Sequence, residues 1–159
     1  MKAFRRSRHR FVAAFDPDEA STLSLLASQV SDLIENRASY GTDPALLRLL
    51  PDAYPDDAEA SAEFRRFTAD ELATRKAANA RRIIVDLAPA AGATSATTVK
   101  VDPQSAQAWV RSLTDIRLTI AARLGIETDG DVESGDAVLR DLYDWLGFVQ
   151  SSLVDCLDH

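Results

Sequence analysis

The sequence predicts a mainly α-helical fold of about five helices, packed with a small antiparallel β-sheet formed by an N-terminal hairpin and a strand near 97–101. Three observations lead there. Asp-Pro recurs at 16/17, 43/44 and 102/103, each time ahead of a run suited to a helix. An aspartate at the N-cap accepts from the orphan amides of the first turn, and a proline at the first helical position lacks the donor that would go unpaired anyway. Apolar residues three and four apart then dominate most of the chain, whereas a period of two appears only near its start and around residue 99.

Taken in order, Phe4 and then Phe11, Ala13 and Phe15 define two short strands, with Ser7-Arg8-His9 as the turn and Arg10, Val12 and Ala14 on the opposite face. The first helix follows Asp16, with Glu19 placed for a capping box. Leu23, Leu26, Val30 and Leu33 give it one apolar side, and it is expected to run to about Ser39 with Gly41 as its stop. A short helix spans 44–50, and residues 53–57 read as a turn. From Ala58 to about Leu87 the pattern is helical with a poor apolar face, as one long helix or as two if Thr68 and Glu71 form an internal capping box. Residues 89–96 read as a loop. Thr97, Val99 and Val101 share one strand face, and a hairpin needs such a third strand to be stable in water.

The helix from Pro103 carries Trp109, Leu113, Ile116, Ile120 and Leu124 along one side and stops at Gly125. An acidic linker, 127–136, leads to the last helix. There Leu139, Leu142, Leu146, Val149, Leu153 and Cys156 recur at spacings of 3, 4, 3, 4 and 3, with Trp145 and Phe148 widening the stripe. A chain of 159 residues supports a single domain, 1–159, without a metal or disulfide staple.

Composition narrows the function. One cysteine forbids a disulfide within the chain and favours a reducing, cytoplasmic setting. Only His9 and His159 stand beside it, so neither a zinc site nor a histidine-based triad can be assembled, and no cofactor is expected. No apolar run approaches the ~20 residues of a membrane span. A non-enzymatic role is the expectation.

Four features remain as candidates. Cys156 is a candidate redox thiol, although its place in the apolar stripe fits a buried small side chain better. Arg5, Arg6, Arg8 and Arg10, with Lys2, lie in an N-terminal stretch free of acids, while residues 11–159 hold thirteen cations against 25 acids, a net charge of −12. These arginines are candidate contacts to a partner protein or to nucleic-acid phosphates; the acidic remainder weighs against nucleic acid. Arg65, Arg66, Arg75, Lys76, Arg81 and Arg82 scatter around their helix and read as a solvated, ion-paired surface. Asp115, Arg117, Tyr143 and Asp144 lie in or beside apolar stripes and read as a polar set that fixes the packing of the last two helices.

Several blocks together carry a resemblance. These are Phe4-Arg5-Arg6 with Phe11, the run from Leu50 to Asp57 followed by Glu63-Phe64-Arg65-Arg66, the run from Leu113 to Leu118 with Arg123-Leu124-Gly125, and the run from Leu142 to Gly147 with Gln150. In order and spacing they resemble a small actinobacterial family first catalogued as a domain of unknown function and labelled oxidative stress transcriptional regulators of the AosR type. The resemblance implies a redox-responsive factor that acts through a sigma factor or RNA polymerase and performs no chemistry of its own. It also implies sensing by two closely spaced cysteines. This chain departs there, because Cys156 is alone and the position four before it is Ser152.

Counting faces predicts self-association. Leu142, Trp145, Leu146, Phe148, Val149 and Leu153 cover about half the last helix, more than the roughly 100° that one packed side requires. We expect a two-fold homodimer to cover the surplus; the alternative is that the first helix closes the core and leaves a monomer. Light scattering should give a mass near twice 17.3 kDa. A mass of one chain, unchanged on dilution, would exclude the dimer.

Overall fold

A computed structural model describes residues 1–41, 43–50, 58–125 and 137–159, with backbone alone at 58–62, 64 and 65. In chain order the elements are β1 (Arg5–Ser7), β2 (Arg10–Phe15), α1 (Pro17–Glu35), α2 (Pro44–Leu49), α3 (Ala58–Ala91), β3 (Thr97–Val101), α4 (Pro103–Leu124) and α5 (Ala137–Asp158). The fold is mainly α with one small antiparallel sheet, as the periodicities predict. The predicted turn at 53–57 and the acidic linker at 127–136 lie outside the described residues.

All three Asp-Pro pairs start helices. Asp43 and Asp102 accept backbone N–H bonds from Ala45 and Ser105 at 2.9 and 2.7 Å, and the Asp16 N–H donates to Glu19 Oε1 at 2.9 Å. Asp43 is anchored twice, since both Arg123 Nη atoms donate to its carboxylate at 2.8 and 2.9 Å. That contact ties the start of α2 to the last turn of α4, and the arginine holds the Asp43 carboxyl below its ordinary pKa.

Two helix ends differ from the sequence expectation. α1 stops at Glu35, not near Ser39, because Asn36 caps it: the Asn36 N–H and side-chain amide both donate to the Asp32 carbonyl, at 2.9 and 3.0 Å. Gly41 therefore plays no part in that stop. α3 is one helix that continues through Pro89 to Ala91, where a loop was expected. Proline there removes a single bond, to the carbonyl of Val85, at an exposed site one turn from the helix end. Thr68 and Glu71 lie within the helix and interrupt nothing.

α3 also has a better apolar face than its large residues imply. Ala73, Ala77, Ala80, Ile83, Leu87 and Ala90 are all buried, at spacings of three and four. Small side chains let backbones approach, and α3 packs chiefly along α1, which turns Ala20, Leu23, Ala27, Val30 and Ile34 inward. α4 packs on both α3 and α1, with α2 against it, and α5 packs on α4.

The sheet has the order β1-β2-β3, with Arg6 opposite Phe11, Phe11 opposite Val101 and Ala13 opposite Val99. Its inner face buries Phe11, Ala13, Phe15, Val99 and Val101 against the helices. Trp109 of α4 is fully buried beneath it, with ring centroids 5.7 Å from Phe4 and 6.2 Å from Phe15. Its indole N–H donates to Asp86 of α3 at 2.8 Å. β1 is fastened to α5: the Phe4 N–H donates to Ser152 Oγ at 3.2 Å, and Ser152 donates onward to the Val149 carbonyl.

In α5, Leu146, Val149, Leu153 and Cys156 are buried while Leu139 and Leu142 are half-buried. The two aromatics expected to widen the stripe lie at its margin. Trp145 is half-buried and Phe148 is 44% exposed. Leu146→Ala should thus cost about 2–5 kcal/mol, or about 2–4 °C in melting temperature per kcal/mol at this chain length. Trp145→Ala should cost clearly less. A melt in which Leu146→Ala equals wild type would remove α5 from the core.

Candidate functional site

The four N-terminal arginines divide by strand face. Arg6 shares the inner side with Phe11, stacks over its ring at 5.5 Å, and donates to the Cys156 carbonyl at 2.9 Å. A cation on the last carbonyls of a helix is favourable, so Arg6 serves the fold at the C-terminus of α5. Arg5 and Arg10 belong to the outer face. The register sets Arg5 opposite Val12 and Val12 opposite Lys100, so three strands contribute one outward row.

Arg5, Arg10, Ala14, Thr98 and Lys100 on that face are exposed. Val12 lies between them on the expected face and is 5% exposed; the stems of flanking Arg5 and Lys100 can shield it. Among the described residues, no carboxylate lies within ion-pair distance of Lys2, Arg5, Arg8, Arg10 or Lys100. Asp102 interacts electrostatically with Arg10. It is already bonded to the Ser105 N–H, which lowers its pKa, and the charge of Arg10 lowers it further. Arg8 sits at the hairpin tip with φ 56°, a left-handed conformation that costs a non-glycine residue about 1–2 kcal/mol.

Cys156 is 8% exposed, and burial pushes its thiol up from the ordinary value, which keeps it protonated at neutral pH. Ser152, one turn earlier, is the buried serine that holds Phe4.

The expected polar set separates into two sites on opposite sides of α4, with one residue outside both. Arg117 faces α5. Its guanidinium lies 4.3 Å over the Tyr143 ring and donates to Gln150 Oε1 at 3.3 Å, while Gln150 in turn donates to the Val110 carbonyl and Thr114 Oγ1. Gly147 makes room for this arrangement, since a Cβ there would stand 3.2 Å from Arg117 Nη2. Asp115 faces α3 instead, where Lys76 Nζ donates to its Oδ1 at 2.6 Å. Asp115 is 2% exposed, and burial raises its pKa although Lys76 opposes the shift. Asp144 is exposed, its ion-pair contact being Arg140 one turn away at 4.0 Å.

The chain matches, over residues 1–157, the family described as Domain of unknown function (DUF2017). It belongs to that family. No curated protein and no solved structure matches it.

Among the described residues of this DUF2017 chain, no group of three His, Cys, Asp or Glu side chains is placed to hold a metal, and no helix is long and apolar enough to cross a membrane. Sequence reasoning missed Lys100 as part of the basic face. Its outward place on β3 was legible, but its pairing beside Arg5 and Arg10 depends on the register. It also missed Lys76 as the partner of Asp115, because a lysine among charged neighbours looks solvated until α4 is packed against it.

The Lys76–Asp115 pair has a specific energetic signature. Removing one member of a buried ion pair leaves an uncompensated charge and costs about 3–5 kcal/mol, while replacing both with apolar residues is far milder. Lys76→Met should therefore destabilise more than Lys76→Met combined with Asp115→Leu. Equal loss in denaturant unfolding would show that the pair is not coupled.

Proposed function

We propose that this DUF2017 chain is a non-enzymatic regulatory factor of the AosR type that docks its basic sheet face on an acidic surface of a transcription partner such as a sigma factor or RNA polymerase. The observation that carries this reading is the outward set Arg5, Arg10 and Lys100, with Arg8 at the hairpin tip, on a chain of net charge −7. Folding places these charges together and gives them no carboxylate within ion-pair distance among the described residues. A concentrated single-sign patch steers association with a partner of opposite sign.

The hairpin tip supports the same reading. Glycine would adopt the left-handed conformation of residue 8 at no steric cost, yet an arginine stands there. Backbone strain borne by an exposed charged residue points to use of that residue. The redox side of the AosR resemblance has less support. Cys156 is alone and its buried thiol is unreactive as placed, so control of this chain by a disulfide within itself is not part of the proposal.

A second reading rests on the same face. The row could lie along nucleic-acid phosphates, in which case affinity would fall steeply with salt and vary little with sequence. One experiment separates the two. Purified polymerase core, sigma factors and duplex DNA are each titrated with wild type and with Arg5→Glu/Arg10→Glu/Lys100→Glu, whose fold is verified by its melt. Binding to the polymerase or a sigma factor should weaken at least about tenfold in the variant, equivalent to about 1.4 kcal/mol. A salt-dependent shift of DNA alone would favour the second reading, and equal binding by both proteins would overturn the role of the sheet face.

A further inference from the structure

Between α3 and α4, beside the Lys76–Asp115 pair, lies a cleft of about 320 Å³, lined by Leu72, Arg75, Lys76, Asn79, Arg111 and Asp115. Residues 72, 75, 76 and 79 fall on one side of α3, and 111 and 115 are one turn apart on α4, so both walls contribute cations. Arg75 and Arg111 are exposed at the rim, Lys76 and Asn79 are half-buried, and Asp115 is buried at the floor.

The hydrogen-bonding inventory of this cleft is one-sided. Lys76 carries three N–H donors, and one is engaged, by Asp115 Oδ1. The guanidinium groups of Arg75 and Arg111 and the amide of Asn79 make no hydrogen bond or ion pair with the described residues. Against these donors stand the Asp115 carboxylate, already shared with Lys76, and the Asn79 amide oxygen. The other acids near Arg75, Asp70 and Glu71, line a neighbouring hollow whose wall Arg75 shares with Phe67 and Thr74, and Asp70 is already held by Arg37 at 2.6 Å.

We infer that this cleft binds a phosphate group, either free or carried on a small organic molecule. The two guanidinium groups would close on it from opposite walls, with the remaining Lys76 protons and the Asn79 amide below. Donors that converge from several directions suit a tetrahedral oxyanion, and arginine forks match its oxygens in pairs. Asp115 is a positioning residue: it holds the Lys76 ammonium at the floor and offers the anion nothing itself. The volume exceeds that of phosphate alone, and Leu72 gives an organic portion an apolar wall. This site lies on the helices, away from the basic sheet face, and is independent of the docking reading.

Inorganic phosphate is the probe. Phosphorus NMR line broadening and thermal melts are compared for the wild-type chain, for Arg75→Gln/Arg111→Gln, and for Arg5→Gln/Arg10→Gln as a control, at matched ionic strength with chloride. Wild type and control should broaden the phosphate line and melt higher with phosphate. The cleft variant should lose both effects while keeping its own melting temperature in chloride, since both substitutions are at exposed positions. Broadening that persists in the cleft variant, that disappears in the sheet-face control, or that is absent from wild type would overturn the assignment. A phosphorylated sugar run in parallel distinguishes free phosphate from a carried one by which of the two broadens at the lower concentration.

Discussion

The fold depends on the burial of one tryptophan. Trp109 meets Phe4 and Phe15 under the sheet, belongs to α4, and spends its one polar atom on Asp86 of α3. A buried indole needs a partner for its N–H, and here that partner is itself held by Arg82 at 2.7 Å. Sheet, α3 and α4 thus converge on a single side chain whose apolar body and polar edge are both satisfied. The positions of β1 and β3, and with them the outward row of cations, follow from what Trp109 fixes on the inner side.

Local signals in this sequence were legible where the responsible atoms are close in the chain. Asp16, Asp43 and Asp102 act within three residues, and the strand alternations act within five. The failures come from contacts that a window of sequence does not contain. Asn36 ends α1 early through a side-chain bond that a search for glycine passes over. Pro89 is tolerated because the bond it removes lies at an exposed site near the helix end. The alanines of α3 look like filler until α1 is set against them, although their spacing of three and four was visible throughout.

The candidate residues show the same division. The N-terminal charge cluster was plain in composition, but strand pairing decides that Arg6 turns inward to the end of α5 while Arg5 and Arg10 turn outward beside Lys100. Asp115 and Arg117, two apart in sequence, end on opposite sides of α4 and take partners from different helices. Asp144 shares a stripe with neither. A polar residue beside an apolar stripe announces that it will be partly buried, not which helix will supply its partner.

The bond between Phe4 and Ser152 joins positions 148 residues apart. On a ribosome the two halves of this contact emerge well apart in time. The strand that carries Arg5 is made well before the helix that fastens it. Pairings of such long range form slowly, since the intervening chain must be ordered before they stabilise anything. β2 and β3 can pair, and α1, α3 and α4 can pack, while β1 still lacks its anchor. The pairing of β1 with β2 is local while its anchorage on α5 is long-range, so the edge of the basic face that carries Arg5 is the part fixed late.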